Sequence, residues 1–348
     1  MASVFVASVA TWPQRRYSYV ALLAAAGVGW AFPGAAGRLL ALPLAVGMVL
    51  LGVAHGACDQ LVVPAATPDG AARQRGWRYW RQFLLAYLGL AALVGVLWWR
   101  WPAATVAGFF LLTIWHWGSA DAPTGPLPIT NGGWLVHSLL RGLLLFAVPA
   151  WYWSADTLGI VNGLLQFAGA RPLAPGLFAA GAAGLGVAVA AGHAALWGLY
   201  ARRGQWALVR TDLLEVLLLT GLLLALPPRL SVGVYFVFWH SLQHVLRLNS
   251  WLGYPVAVKS PFGREGLVPQ LAFFLRRAAP LLLLSCVALL VLGRVLAARL
   301  PDETAWFSLA LVVASIVTLP HALLVTWVMD APRWQQLRPG KRPVVPAV

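Results

Sequence analysis

Charge is scarce in this sequence: only 10% of its 348 residues are Asp, Glu, Lys or Arg, against roughly 25% in an ordinary soluble domain. So few ionic groups cannot cover the surface of a water-facing globule. Acidic residues are the scarcer sign, 10 against 25 basic ones, leaving a net charge of +15. Cysteine is nearly absent. Cys58 and Cys286 stand far apart in apolar stretches, so there is no CxxC pair and no disulfide framework, and Cys58 reads as packing. No phosphate-binding glycine loop occurs. No segment between the apolar runs is long enough for a separate soluble domain. No small-x-small cleavage site stands out after Arg15 and Arg16, so the first apolar run is expected to stay as an uncleaved helix.

Apolar sequence is what the chain has in abundance. Hydrophobic residues make up 60% of it, and the mean hydropathy is +0.76. Runs of about 20 such residues recur along the whole length, enough to cross a hydrocarbon core of about 30 Å. The expected fold is all-α, a polytopic membrane helix bundle, with residues 1–348 forming a single integral membrane domain. About ten transmembrane helices are expected, at roughly 17–34, 38–58, 82–99, 102–119, 133–152, 175–199, 209–226, 231–249, 269–294 and 305–329. Turn-forming residues separate them: Pro33-Gly34, Pro64 to Gly70, Pro123 to Gly133, Pro172 to Gly176, Pro227-Pro228, Gly253 to Pro255 and Pro301. The segment 156–169 is too short and Gly-rich to span and is expected at the interface. Trp77, Trp80, Trp98, Trp99, Trp101, Trp151 and Trp153 cluster near helix ends, as interface belts do.

The basic residues then orient the bundle. Of the 25 Lys and Arg, Arg141 falls inside a helix. Six (Arg38, Arg100, Arg171, Arg229, Arg294 and Arg299) fall on the side opposite the N-terminus, leaving 18 on the N-terminal side. Short loops rich in Lys and Arg stay in the cytoplasm, so both termini are expected there, in a multi-pass protein of the cell (inner) membrane surrounded by lipid. The same placement explains the positive charge without nucleic acid, which is not an expected partner.

Seven histidines occur in these apolar runs, and an ionisable residue inside a membrane helix is a functional hypothesis by default. His55, His116, His193, His240, His244 and His321 fall on the even-numbered runs, and His137 opens the fifth. All seven lie in the cytoplasmic half, at similar depth, as in bundles that build metal sites from facing helices. His240 and His244, in FWHSLQHVLR, are one helical turn apart on one face. His55 is followed by Gly56 and, at i+4, Asp59; His116 is followed by Gly118 and Asp121; Pro320 precedes His321. Glycine beside a ligand lets a neighbour approach closely. A buried carboxylate can accept a ligating imidazole's second N–H and fix its tautomer, the role expected of Asp59 and Asp121.

Other readings compete. A lone membrane histidine is more often a helix-to-helix hydrogen bond than a ligand, and His193 is read that way; His137, beside Ser138 near its helix start, is read as structural or as a partner behind a ligand. His321 is read either as a ligand or as a partner behind one. An all-imidazole site suits Zn, Cu, Fe or Ni; four imidazoles leave two octahedral positions open, which suits Fe(II) and O2. A haem protein or a metal carrier without catalysis remains the alternative.

Together these motifs resemble the Brp/Blh family of bacterial and archaeal membrane β-carotene 15,15′-dioxygenases. The resemblance lies in His55-Gly56-Ala57-Cys58-Asp59, in His116 to Asp121, in His240-Ser241-Leu242-Gln243-His244 and in Pro320-His321. It departs at Gln243, where a basic residue is expected. It implies an enzyme, an iron-dependent dioxygenase with Fe(2+) as cofactor, that takes β-carotene and O2 to two retinals. It carries the catalytic and iron-ligand roles onto His55, His116, His240 and His244, and links the product to a retinal-binding rhodopsin. Trp115, Trp117, Tyr235, Phe236, Phe238 and Trp239 interleave these histidines, as a polyene tunnel or as ordinary packing.

Overall fold

The computed structural model describes residues 12–65, 76–123, 131–254 and 266–330, and every regular element among them is helical. Helix α1 is Trp12–Ala31. Helix α2, Ala36–Gly47, runs directly into a π-helical turn, Met48–Val53, followed by a 3-10 turn, Gly56–Cys58, and α3, Asp59–Ala65. Then come α4 (Trp77–Arg100), α5 (Pro102–Asp121), α6 (Asn131–Tyr152), α7 (Ser154–Phe167), α8 (Pro175–Arg202) and α9 (Trp206–Ala225). A continuous helical run follows: α10 (Pro228–Val234), a second π turn (Tyr235–Ser241) and α11 (Leu242–Trp251). The described chain ends with α12 (Leu267–Leu296), α13 (Glu303–Leu324) and a third π turn, Val325–Met329.

All ten expected runs are helical, but fewer qualify as membrane spans. Six helices among the described residues are long and apolar enough to cross a membrane: Ala36–Val62, Trp77–Arg100, Gly132–Tyr152, Pro175–Arg202, Leu267–Arg299 and Glu303–Met329. The other four fall in α1, α5, α9 and the α10–α11 run. Arg15 and Arg16 dilute α1; Arg210, Asp212 and Glu215 dilute α9; α5 and α10–α11 interleave histidine with Trp, Ser and Gln. Such polar groups need protein partners inside a membrane. Parts of the expected breaks at Pro64 to Gly70, Pro123 to Gly133 and Gly253 to Pro255 lie outside the described residues. So do Arg73, Arg75, Lys259, Arg264, Arg333, Arg338, Lys341 and Arg342 of the basic-residue tally.

The chain divides into two compact units that alternate along the sequence: Met1–Gly47 with Phe110–Gln166 and Arg171–Gln243, and Met48–Phe109 with Phe167–Ala170 and His244–Val348. In the first unit α6 packs on α8 and α1 on α9. Its core is built from Tyr19 and Leu22, Leu144 and Leu145, Leu219, Leu222 and Leu223, with Tyr235 and Trp239 from the second π turn. Helices α5 and α6 touch backbone to backbone. A β-carbon on Gly118 would stand 1.9 Å from the Ser138 carbonyl oxygen, and one on Gly142 would stand 2.0 Å from the Ile114 carbonyl oxygen. Small residues permit this approach, the usual packing device of membrane helices.

In the second unit α4 lies along α13, and Trp98 Nε1 donates to Ser315 Oγ at 2.7 Å. Helix α12 closes over the Gly56–Cys58 turn, with Phe274 and Ala278 fully buried. Leu283, Leu284, Val287, Leu290 and Val291 of α12 are exposed, the apolar surface a helix presents to lipid.

Candidate metal centre

Three histidines from three elements meet in the second unit. His55 sits just after the first π turn, His244 on α11 and His321 on α13, all buried. Their ring centres are 5.4 Å apart for His55–His244, 4.9 Å for His55–His321 and 5.2 Å for His244–His321, and each pair is edge to face. His55 Nδ1 donates to the Leu51 carbonyl at 3.2 Å. His321 Nδ1 donates to the Asp59 carboxylate at 2.9 Å. Both bonds fix the tautomer and leave the lone pair on Nε2. Tyr87 Oη on α4 donates to Asp59 Oδ2 at 3.1 Å. Asp59 thus bonds to the histidine of α13, although at i+4 from His55 the sequence pairs it with His55. Gly56 faces open space, so the close approach expected beside a ligating histidine occurs at Gly118 and not at Gly56.

The first unit holds a second pair. His116 on α5 and His240 in the second π turn have ring centres 4.9 Å apart, again edge to face. Asp121, one and a half turns beyond His116, accepts from Tyr235 Oη and from Trp239 Nε1, both at 2.9 Å. Its carboxylate therefore ties the His116 helix to the two aromatic residues that bracket the turn before His240. Trp117 and Phe236 lie against the His240 ring, at 5.8 and 6.0 Å, the latter stacked. Gln243 Nε2 donates to Ser18 Oγ on α1 at 2.7 Å. Of the histidines read as structural, His193 donates to the Val189 carbonyl of its own helix at 2.9 Å. His137 bridges Tyr200 Oη at 2.8 Å and Asp212 Oδ1 at 2.9 Å.

Sequence reasoning missed the ionic cluster behind this pair. Arg141 of α6 is fully buried; its Nη2 donates to Glu215 Oε2 at 2.8 Å and its Nη1 lies 3.6 Å from Asp212. Glu215 also accepts from Tyr19 Oη at 2.7 Å and pairs closely with Arg15. Asp212 accepts from Trp197 Nε1 at 2.7 Å. The guanidiniums of Arg15 and Arg141 sit 5.8 and 5.9 Å from the Trp239 ring. The signal was present: Asp212 and Glu215 interrupt one apolar run and Arg141 another, and buried charges of opposite sign in separate membrane helices are expected to pair.

The three π turns were missed as well. One ends two residues before His55, one contains His240, and one begins four residues after His321. Such turns are rare and recur at functional sites.

Imidazole nitrogens are donors of a type that metal ions take. Among the described residues no group of three or more His, Cys, Asp or Glu stands as one that could hold a metal ion; what the geometry offers is ring spacing and tautomer. With an N–metal bond of about 2.1 Å and roughly 1.1 Å more to the ring centre, two imidazoles on one ion hold their centres about 4.5 Å apart at 90° and about 5.2 Å apart at a tetrahedral angle. The observed separations of 4.9 to 5.4 Å lie in or close to that range.

Comparison with known proteins agrees with the motifs. A family model described as "Beta-carotene 15,15'-dioxygenase" matches residues 46–329. A Halobacterium salinarum protein named "Probable beta-carotene 15,15'-dioxygenase Blh" is 30% identical over 305 residues, 82% of this chain and 83% of that protein. No solved structure matches.

Proposed function

The chain belongs to the β-carotene 15,15′-dioxygenase family, and from that premise we propose that it cleaves β-carotene at the central double bond, with O2 and Fe(II), to give two retinals. One observation carries the reading. The matched region, 46–329, contains in order the motifs of His55, His116, His240-to-His244 and His321. The reaction balances without a further reductant: one C=C bond breaks, each of its carbons takes one oxygen atom of O2, and no proton is gained or lost.

The proposed iron ligands are His55, His116, His240 and His244. His240 and His244 are four residues apart on one continuous helical run, and imidazole donors suit Fe(II). When bound, the iron supplies the redox chemistry that lets O2 react with a closed-shell alkene. The chain's own residues do the rest. Trp117 and Phe236, ring to ring with His240, offer flat apolar faces to a rigid polyene. Tyr235 and Trp239 are held on Asp121 and are therefore anchors for His240 rather than mobile lining. The asymmetry of basic residues supports cytoplasmic termini in the cell membrane, and a hydrocarbon substrate dissolved in the bilayer enters sideways between helices.

The test is product analysis after purified protein is incubated with Fe(II) and β-carotene, with and without air. Retinal in the aerobic sample alone is the expected result. Long apocarotenals would mean off-centre cleavage. Intact iron without cleavage would favour a metal carrier.

A further inference from the structure

We infer that His321 is itself a metal ligand, through Nε2, and that Asp59 and Tyr87 are the groups that orient it. The inference rests on the iron reading above and adds His321 to the ligands proposed there.

Three observations carry it. First, His321 is placed in relation to His55 and His244 just as those two are placed in relation to each other: ring centres 4.9 and 5.2 Å away, against 5.4 Å between the other two, and interplanar angles of 75° and 73°, against 73°. A residue acting only from behind a ligand would bond to one imidazole and stand further from the next. Second, the Nδ1–H of His321 is engaged by the Asp59 carboxylate at 2.9 Å to both oxygens. This is the arrangement that holds a ligating imidazole in one tautomer and raises the basicity of its other nitrogen. Third, Asp59 is itself held, since Tyr87 on α4 donates to its Oδ2 at 3.1 Å. Tyr87, Asp59 and His321 thus form a chain of hydrogen bonds that runs from α4 through the start of α3 to α13 and ends on the imidazole. Asp59 and His321 are buried; a chain of this kind would be a costly way merely to join helices in an apolar medium.

The experiment uses purified full-length protein stripped of metal and titrated anaerobically with Fe(II). Co(II) serves as a second probe, because its visible d–d bands report the number and kind of its ligands. For His321→Ala the expected result is a loss of Fe(II) affinity beyond the roughly 100-fold that marks removal of an outer partner, with changed Co(II) bands. Asp59→Asn and Tyr87→Phe should retain the Co(II) ligand count. Asp59→Asn should lower affinity about 10- to 100-fold, and Tyr87→Phe by less. These two milder variants carry the test if His321→Ala does not elute as a folded species: wild-type affinity in both would overturn the inference. So would a folded His321→Ala whose Co(II) bands match the wild type. A wild-type protein that takes up neither metal would instead overturn the iron reading, and this inference with it.

Discussion

Glu215→Gln is the sharpest probe of how the first unit is held together. The side chain is buried and accepts from three donors, Arg15, Tyr19 and Arg141. Glutamine keeps its size but removes the charge that balances a fully buried guanidinium. Breaking a buried ion pair from one side costs about 3–5 kcal/mol. Asp212, 3.6 Å from Arg141, offsets part of this, so about 3 kcal/mol is expected, roughly 150-fold in the folding equilibrium. The measurement is SDS or thermal unfolding of purified protein in detergent micelles, within a double-mutant cycle that includes Arg141→Met. Because the two residues share one network, the double variant should be more stable than the sum of the singles predicts, by at least about 1 kcal/mol. A Glu215→Gln protein within about 0.5 kcal/mol of wild type, or strict additivity with Arg141→Met, would refute the reasoning.

Three further outcomes can be checked. Gly118→Ala should destabilise the protein by about 1–3 kcal/mol or prevent its folding, because the new methyl meets a backbone carbonyl that no rotamer change can move. Gly56→Ala, in open space, should leave stability within about 1 kcal/mol of wild type by the same unfolding measurement; equal effects at the two sites would contradict the packing described. Purified protein should carry about one iron by elemental analysis, and alanine at both His240 and His244 should remove it; full occupancy in that variant would exclude the pair as ligands. A reporter fused after Val348 should be active in the cytoplasm, and activity on the far side would mean either an odd number of spans or an inverted bundle, and would refute the orientation read from the basic residues.

Much of this architecture is legible in the amino-acid order, and the exceptions have physical causes. The ten apolar runs mark helices because a long apolar stretch has few other ways to satisfy its backbone. Only six of them stand out as spans by length and composition, because helices such as α9, with Asp212 and Glu215, give part of their length to internal polar contacts. The i+4 spacing from His55 to Asp59 pointed to a partnership on one helix. The chain instead breaks into a π turn and a 3-10 turn there, and that break accompanies the bond from Asp59 to His321. Arg141 reads as an exception to a topology count, whereas in the fold it is the central cation of the buried cluster. The π turns left no trace in composition, since a change of hydrogen-bond register requires no particular residue type.

The second π turn also sets a phase. Each residue of an α-helix advances the chain by about 100° and 1.5 Å, and a turn closed from i to i+5 takes in one residue more than a turn closed from i to i+4. Tyr235–Ser241 therefore works as a one-residue spacer within the run from Pro228 to Trp251. Removing any single residue from it would let ordinary α-helical bonding close the gap. The turns on either side would then stay nearly in phase, whereas the same deletion in the α-helical stretch Pro228–Val234 would rotate everything before it by more than a quarter turn relative to the rest of the helix. The π turn is thus the one place in this run where a residue can be lost with a local effect, confined to the side chains of Tyr235–Ser241.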